Sequence, residues 1–318
     1  MRISTPFVEV RGCGTWLTAA ACVIGSVLAA CSSSSEMTLD AAAPLATIQM
    51  PLVALAPGAE TTQCIIVQMT NATPLMLRQT QAVLSNGSHH LIAYRVPADT
   101  PLQPEATPCR PFADVTNGVS PVIIAESMTA EVVYPDGVGL RFEANQKIKL
   151  EEHFLNASDA AVQGTGKVDF TLVEPTPDLV LADLLFWGPE RFAIDPHAAG
   201  SAELAHVVKP GVNVFSLTTH EHQFGTLATI ELTTDATGPG TELYRNTDWE
   251  HPPLKPFTPP LAFDGTQWLR LRCSWFNTSD TIVPFGVSAA TNEMCFFWAY
   301  YYPSQGLQSC TEAGCRDR

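Results

Sequence analysis

Residues 213–232 read NVFSLTTHEHQFGTLATIEL, and this stretch is the clearest indication of the fold class. Its two halves, NVFSLTTHEH (213–222) and LATIEL (227–232), are rich in Val, Ile, Leu, Thr and Phe, which favour β-strands. A short break that contains a glycine separates them. Two strand-length runs on either side of such a break are typical of an all-β chain.

The same pattern recurs along the rest of the chain beyond residue 45. The runs are CIIVQMT, HHLIAYRV, PVIIA, KIKLEEHFLN, KVDFTLVE and QWLRLRCSWF, and Pro, Gly or Asn-Gly separate them. Repeated short strands with turn signals predict an all-β fold of two tandem antiparallel β-sandwich domains, jelly-roll-like, over residues 46–174 and 175–318. The stretch SAELAHVV (201–208) fits either one short turn or a strand. The stretch HPPLKPFTPP (251–260), with its five prolines, is predicted to be a surface loop.

Residues 1–30 have the features of an export signal and are left out of the fold prediction. Two arginines precede the apolar run WLTAAACVIGSVLAA (16–30), which is too short for a convincing membrane span. The run ends in LAAC (28–31), which resembles a bacterial lipobox. This resemblance implies lipidation of Cys31, a flexible tether over residues 31–45 and a lipid-anchored protein in the bacterial cell envelope. An ordinary secretory signal that happens to contain this cysteine is the alternative.

Charge and cysteine usage narrow the class of protein further. With 17 Lys and Arg against 32 Asp and Glu, the formal charge is -15 and there is no basic stripe, so nucleic acid is not an expected partner. Membrane contact is expected only through the lipid. Six cysteines remain beyond Cys31, and an even number in an exported chain indicates disulfides. They are Cys64, Cys109, Cys273, Cys295, Cys310 and Cys315.

Five of the eight histidines fall into three clusters within strand-like segments: His89 with His90, His153 alone, and His220 with His222. Residues two apart on a strand share a face, so one ion could bind both rings of the H-x-H pair. Clustered imidazoles without Cys pairs indicate copper, zinc or non-haem iron. The remaining three, His197, His206 and His251, are interpreted as ordinary polar residues.

Two common families with an H-x-H motif do not fit the surroundings of this pair. A cupin requires a Glu three or four residues after the second histidine, whereas the next carboxylate here is Glu231. A metallo-β-lactamase-like hydrolase requires an Asp two residues on, where this chain has Phe224.

A third family fits the order of the motifs. HH, then one strand histidine, then H-x-H, then EMC (293–295) follow one another across about residues 60–302. This series resembles the copper type II, ascorbate-dependent monooxygenases, which include the peptidylglycine α-hydroxylating and dopamine β-hydroxylating enzymes. The resemblance implies two coppers per chain. The first ligand set, in residues 46–174, is His89, His90 and His153; the second, in residues 175–318, is His220, His222 and Met294.

The resemblance also assigns roles and disulfides. The first set would store and deliver an electron, and the second would be catalytic and bind O₂, because a thioether favours Cu(I). Two family disulfides correspond to Cys64–Cys109 and Cys273–Cys295, which leaves Cys310 and Cys315 as an additional pair. Since neighbouring residues of a regular strand point to opposite faces, His89 and His90 require a bulge or local twist, which the preceding Asn-Gly could supply.

The chain departs from the peptide-amidating branch at two positions. Thr218 and Trp298 stand where that branch has an Arg and a Tyr that hold the substrate carboxylate, so glycine-extended peptides are not expected substrates. If NEMCFFWAYYYP (292–303) is a strand, Met294 shares a face with Phe296, Trp298 and Tyr300. That face would line the second site with aromatic surface and favour a small apolar or aromatic substrate, although a core strand is an equally good interpretation.

The predicted function is therefore hydroxylation of an aliphatic carbon of a small substrate, with O₂ and a one-electron reductant such as ascorbate. The alternative is a copper-binding or electron-transfer surface lipoprotein without turnover. A structural, adhesin-like sandwich without metal is a third possibility. The sequence leaves the oligomeric state open.

Overall fold

The structure, a computed structural model, describes residues 45–317. The predicted signal, Cys31 and most of the predicted tether lie outside the described residues. The first half of the described chain contains one short helix, α1 (Ala113–Thr116), and thirteen strands: β1 (Leu45–Gln49), β2 (Val53–Leu55), β3 (Glu60–Gln68), β4 (Leu75–Leu84), β5 (Ser88–Val96), β6 (Gln103–Pro108), β7 (Pro121–Ala125), β8 (Thr129–Val133), β9 (Val138–Phe142), β10 (Lys147–Leu155), β11 (Val162–Gly164), β12 (Gly166–Val173) and β13 (Val180–Leu181).

The second half contains the remaining strands: β14 (Asp183–Trp187), β15 (Ala193–Ile194), β16 (Ala199–Val207), β17 (Asn213–His220), β18 (Gly225–Thr233), β19 (Thr241–Asn246), β20 (Lys255–Ala262), β21 (Trp268–Phe276), β22 (Val283–Pro284), β23 (Phe296–Tyr302), β24 (Gln308–Thr311) and β25 (Gly314–Asp317). The prediction of an all-β fold is confirmed. Within residues 45–317, no helix is long and apolar enough to cross a bilayer.

The first thirteen strands form a β-sandwich. One sheet has the order β1-β12-β4-β9-β13, with β8 also paired to β4, and the facing sheet has the order β6-β3-β10-β5-β7. A small β11-β2 pair completes this half. Phe142 and Phe170 from the first sheet and Ile65 and Leu150 from the second belong to one buried core. This core holds the sheet on which His89, His90 and His153 lie.

The last twelve strands form a second sandwich. Its larger sheet has the order β20-β17-β23-β14-β24-β25, its smaller sheet the order β16-β21-β18-β19, and β15 pairs with β22. Leu217 and Phe297 from the larger sheet pack with Ile230 and Leu271 from the smaller one. Among the described strands, none of β1–β13 pairs with any of β14–β25. The described residues nevertheless form one compact unit, and the domain boundary predicted at 174/175 stays a prediction.

The larger sheet of the second sandwich is buried on both faces. Along β23, Phe297 and Tyr301 belong to the core of the second sandwich, whereas Phe296, Trp298 and Tyr300 belong to the core that includes the first sandwich. Strands buried on both faces need continuous apolar sequence rather than alternation, which accounts for the unbroken run CFFWAYYY (295–302), in which six of eight residues are aromatic. This double burial brings the H-x-H strand and Met294 against the first sandwich.

Two sequence assignments outside the core are settled by the strands. SAELAHVV forms most of β16 and is therefore a strand. The predicted surface loop over 251–260 is wrong, because Lys255–Ala262 form β20 at the end of its sheet. Proline cannot donate to a ladder, but the outer side of an edge strand has no partner strand, so prolines are tolerated there.

Candidate metal centre

A β-bulge places His89 and His90 on the same side of the first sandwich. In the pairing of β5 with β10, His90 lies opposite His153 and Ser88 lies opposite Phe154, so that His89 is the extra residue. A bulge redirects the inserted side chain, and Gly87, with a φ of 85°, precedes it. The predicted distortion is thus confirmed. Ring centroids are 5.4 Å apart for His89–His90, 5.0 Å for His90–His153 and 5.4 Å for His89–His153.

The H-x-H pair lies where β17 ends. The strand stops at His220, so the prediction that both histidines lie on one strand is wrong for His222, which belongs to the following turn. The two imidazoles are nevertheless neighbours, with ring centroids 4.9 Å apart. The turn is closed by a hydrogen bond of 2.9 Å from the Gly225 amide to the His222 carbonyl.

The carboxylate of Glu293 fixes this turn relative to Met294. It accepts hydrogen bonds from the backbone amides of His222, of Phe224 (3.1 Å) and of Met294 (2.9 Å). The next residue, Cys295, is in a disulfide with Cys273. The sequence analysis identified the Met of the EMC motif as a candidate ligand but missed the role of its Glu. In the structure, Glu293 connects Met294 to the turn that contains His222.

The two candidate ligand sets meet at His89. Its ring centroid is 5.3 Å from that of His220 and 5.5 Å from that of His222. Ligand atoms of His89, His90 and His153 lie within 4.8 Å of one another, and the same holds for His89, His220 and His222. The sequence had assigned His89 to the first set alone.

All five imidazoles are buried, and His89, His90, His220 and His222 are held in the neutral form. Burial, followed by the neighbouring histidines, lowers the pKa of His89, His90 and His222 well below the ordinary value. The same causes lower the pKa of His220 to about 3. Neutral imidazole is the form that binds metal ions.

Several buried imidazole nitrogens have no hydrogen-bond partner among the described residues. They are Nε2 of His89, both nitrogens of His90, Nδ1 of His153 and both nitrogens of His220, although Nδ1 of His220 lies against the Glu126 carboxylate. Leaving such a group unsatisfied costs about 1–3 kcal/mol, so a cluster of them is unfavourable unless something binds there. The donor set therefore fits a metal ion that prefers imidazole, and copper is one such ion.

Partners on the opposite ring nitrogens orient three of the imidazoles. Nε2 of His153 lies 2.9 Å from the Glu60 carboxylate. Nδ1 of His222 lies 3.2 Å from the Asn292 carbonyl, and Nδ1 of His220 lies against the buried Glu126 carboxylate. Such partners fix which nitrogen is free to bind a metal. The nitrogens opposite these contacts, Nδ1 of His153 and Nε2 of His220 and His222, are therefore the candidate ligand atoms.

The two carboxylates differ in environment, and sequence reasoning missed both. Burial raises the pKa of Glu60, but hydrogen bonds to His153, Ser288 and the Ala289 amide outweigh it and lower that pKa to about 2. Burial raises the pKa of Glu126 well above the ordinary value. The one sequence signal for Glu126 is its position directly after the apolar run PVIIA.

Aromatic side chains enclose the cluster. The Phe112 ring lies 4.5 Å from that of His90 and 5.5 Å from that of His220, and the half-buried Trp249 lies 5.9 Å from His89. Neither aromatic residue was singled out from the sequence. Phe112 has a φ of 56°, a backbone conformation that side chains rarely adopt.

An apolar cavity of about 110 Å³ adjoins Phe112. It is lined by Arg110, Pro111, Phe112, Thr116, Phe186, Glu190, Phe285, Val287, Met294, Phe296 and Ser309. Met294 and Phe296 thus line this cavity together with three further aromatic side chains, Phe112, Phe186 and Phe285. The other three predicted pocket residues are buried outside this lining: Thr218 donates to the Pro253 carbonyl (3.1 Å), Trp298 lies opposite Thr218, and Tyr300 accepts from the Ile124 amide (3.0 Å).

The remaining histidines and cysteines take ordinary places. The side chain of His197 pairs with Asp280, and that of His251 lies near Asp248. His206 bonds the Thr311 carbonyl at 3.1 Å; it lies near two cysteines that are joined to each other. All three predicted disulfides are present: Cys64–Cys109, Cys273–Cys295 and Cys310–Cys315.

Comparison with solved structures yields only distant likenesses. The major capsid protein P2 from bacteriophage PM2 aligns over 83% of this chain and 100% of its own, with 8% identity and a TM-score of 0.34. PBCV-1 VP54, fitted into a reconstruction of the virophage Sputnik, aligns over 84% of this chain and 96% of its own, with 9% identity and a TM-score of 0.24. Scores this low carry no argument. No curated protein matches the chain.

A family model does match the second half of the chain. Residues 195–317 match the copper type II ascorbate-dependent monooxygenase, C-terminal domain. The matched segment contains His220, His222 and Met294, the second ligand set. Over residues 195–317, the sequence therefore resembles the C-terminal domain of the copper type II, ascorbate-dependent monooxygenases.

Proposed function

We propose that the protein hydroxylates an aliphatic carbon of a small, apolar or aromatic molecule, using O₂ and a one-electron reductant such as ascorbate. The observation that carries this proposal is the cluster of five buried histidines, four of which have unpartnered nitrogens, beside a cavity that Met294 lines. The family match in residues 195–317 supports the copper chemistry.

Different residues of the chain would have different roles in this reaction. Bound copper would supply the one-electron chemistry that O₂ activation requires. His89, His90 and His153 would hold one ion and His220 and His222 the other. The Met294 thioether would make the second set softer and favour its reduced state. Glu60, Glu126 and the Asn292 carbonyl orient three of the rings, and Phe112 and Trp249 limit the access of water to the cluster.

The cavity supports a small substrate. An apolar cavity of about 150 Å³ binds benzene in a well-studied case, so a space of about 110 Å³ suits one small ring or a short aliphatic chain. Thr218 and Trp298, which replace the Arg and Tyr of the peptide-amidating branch, are buried and engaged within the sheet. We therefore expect glycine-extended peptides not to be amidated.

Metal analysis and oxygen uptake test the proposal together. We expect about two coppers per purified chain and ascorbate-dependent O₂ consumption that rises when a small aryl or alkyl substrate is added. Copper binding without substrate-dependent O₂ uptake would indicate the copper-carrier alternative. If the chain binds no copper, the proposed function is refuted and only the all-β fold remains established.

Export and lipidation at Cys31 are a separate proposal. Three disulfides within the described residues fit an oxidising compartment. Metabolic labelling with a fatty acid should mark the wild-type chain and not a Cys31→Ala variant. Equal labelling of the two chains would refute lipidation at this position.

A further inference from the structure

We propose that Phe112 limits the size of the substrate, and that the buried Glu151 is the positioning residue that holds Phe112 in place. The inference rests on the proposed function and narrows its substrate class to molecules with a single small ring. Phe112 belongs to a connection, residues 109–116, that we call the wall segment.

Phe112 stands between the histidine cluster and the cavity. Its ring centroid lies 4.5 Å from that of His90 and 5.5 Å from that of His220. It also lies 5.9 Å from the ring of Phe186, on the cavity lining. Among the described residues, the lining of this cavity includes no histidine. A molecule in the cavity therefore meets the candidate metal centre at Met294 and at the Phe112 ring.

The cavity lining comes from two parts of the chain that are held differently. The wall segment supplies Phe112 and three further residues, and residues 186–309 supply the rest. Phe186 and Phe296 lie on the paired strands β14 and β23 and stack, with ring centroids 4.8 Å apart. The sheet fixes those two rings, whereas the wall segment needs anchors of its own.

The backbone of Phe112 is in a conformation that costs free energy. Its φ of 56° and ψ of 12° lie in the left-handed region, which a residue with a Cβ rarely adopts. Such a residue persists only where the surrounding contacts over-determine it, and residues of this kind cluster at ligand sites. The contacts that hold Phe112 are therefore part of the site.

Glu151 supplies the central contact. Its side chain is fully buried on β10, and its Oε1 accepts a hydrogen bond of 2.6 Å from the Phe112 amide. Its other oxygen lies 3.8 Å from Nζ of Lys149, which also pairs with Asp114 in α1. Hydrogen bonds to an ionised acceptor are among the stronger ones in proteins. Glu151 thus fixes the point of the backbone from which the Phe112 ring projects.

A disulfide anchors the start of the wall segment at the same place. Cys109 is bonded to Cys64, and Cys64 lies directly opposite Glu151 in the pairing of β3 with β10. The Cys109 amide also donates to the Thr62 carbonyl (3.1 Å). With Cys109 and Phe112 both tied to these two strands, the ring has little freedom to leave the cavity.

Ligand binding by the metal-free protein tests the size limit. A ligand that binds the native state raises the melting temperature, so we expect benzene to raise that of the wild type and naphthalene to leave it unchanged. Phe112→Ala removes the ring, keeps a Cβ and adds the volume of a ring to the cavity. Naphthalene should bind this variant at least about tenfold more tightly than the wild type, the lower end of what one misfitting methylene costs in an apolar pocket.

Phe142→Ala is the matched control for the size limit. Phe142 is a fully buried phenylalanine of the first sandwich that lies outside the cavity lining. The same deletion there opens a separate space with room for one ring at most, so the variant should lose stability without binding naphthalene. Phe112→Leu takes the place of Phe112→Ala if that variant does not fold.

Two substitutions of Glu151 test the positioning role. The Gln carboxamide keeps an oxygen that can accept from the Phe112 amide, whereas Leu has none. We expect Glu151→Leu to bind naphthalene as Phe112→Ala does, and Glu151→Gln to exclude it as the wild type does. Glu151→Met replaces the leucine variant if it does not fold. Glu152→Leu is the control, because that buried carboxylate accepts from Ser88 and not from the wall segment.

The failures are distinguishable, because these measurements use the metal-free chain. The size limit is wrong if benzene does not stabilise the wild type, or if naphthalene stabilises it as much as it stabilises Phe112→Ala. The positioning role is wrong if a folded Glu151→Leu still excludes naphthalene, since lost stability alone would leave the preference for benzene intact. Absence of copper binding refutes the proposed function and does not alter these results.

Discussion

The Glu126 carboxylate is buried beside the histidine cluster and has no charged hydrogen-bond partner among the described residues. The carboxylate is fully buried, lies against Nδ1 of His220, and neither of its oxygens has a hydrogen bond of good geometry. A buried carboxylate without partners is costly, and burial accordingly raises the pKa of Glu126. A cation bound through Nε2 of His220 would supply the missing charge through the ring. Metal binding at His220 and the ionisation of Glu126 should therefore depend on each other.

Glu126→Gln should therefore weaken copper at the second set, because the amide orients His220 less well and carries no charge. We expect a loss of about 10–100-fold in affinity, measured by competition with a Cu(I) chelator. Glu152→Gln is the control: that carboxylate is also buried, but it accepts from Ser88 and does not contact the second set. Equal losses in the two variants would contradict a specific role for Glu126.

The Met294→Ala variant tests whether Met294 is a copper ligand or only a side chain of the core. As a ligand, Met294 should be needed for substrate-dependent O₂ uptake, and its loss should shift the Cu(I)–carbon monoxide band while copper at the first set is kept. As a core side chain alone, its removal would cost about 2–5 kcal/mol of stability and leave the band in place. Infrared spectra, copper content and melting temperature on the one variant decide between these outcomes.

At the scale of elements, a long-range contact shapes the site more than strand propensity does. β17 could continue through His222 by its pattern, yet the Glu293 carboxylate, 71 residues away in sequence, binds the His222 amide and holds the chain in a turn. The same carboxylate binds the amides of Phe224 and Met294. One side chain therefore sets the spacing between the H-x-H pair and the methionine.

Glu293→Gln should loosen this turn. Two carboxylate oxygens now accept three amides, whereas a carboxamide has one oxygen and brings an unwanted donor. We expect a loss of about 1–3 kcal/mol in the free energy of unfolding of the metal-free protein, measured with urea, and weaker copper binding at the second set. Unchanged affinity at that set would mean that the turn does not position the ligands.

These elements also show what the sequence predicts and what it does not. The bulge at His89 was predictable, because adjacent histidines can share a site only if the strand is distorted, and Asn-Gly precedes them. β20 was not predictable, because its prolines are tolerated only at a sheet edge, and edge position is a tertiary property. The departure of His222 from the strand depends on Glu293, which no local pattern connects to it.

At the scale of the whole molecule, the meeting of the two ligand sets follows from how the sandwiches pack. Motif order placed the two sets in different halves, but it carries no information on the distance between them. The doubly buried sheet brings β17 against the first sandwich, where Glu60 accepts from Ser288 (2.7 Å) and the Ala289 amide (2.6 Å) while contacting His153. One carboxylate thus links the first set to the loop that precedes Met294.

Glu60→Ala should weaken that link and let the two sets move apart. We expect a loss of about 1–3 kcal/mol in stability, because a charged acceptor shared by three donors is removed. We also expect weaker copper binding at the first set, because His153 loses the carboxylate that orients its ring. Ser127→Ala is the control: it removes a hydrogen bond of 2.8 Å to the Pro252 carbonyl, which also joins the two halves but touches no candidate ligand. If both variants keep wild-type copper affinity, the arrangement of the two sets does not depend on Glu60, and packing of the doubly buried sheet alone maintains it.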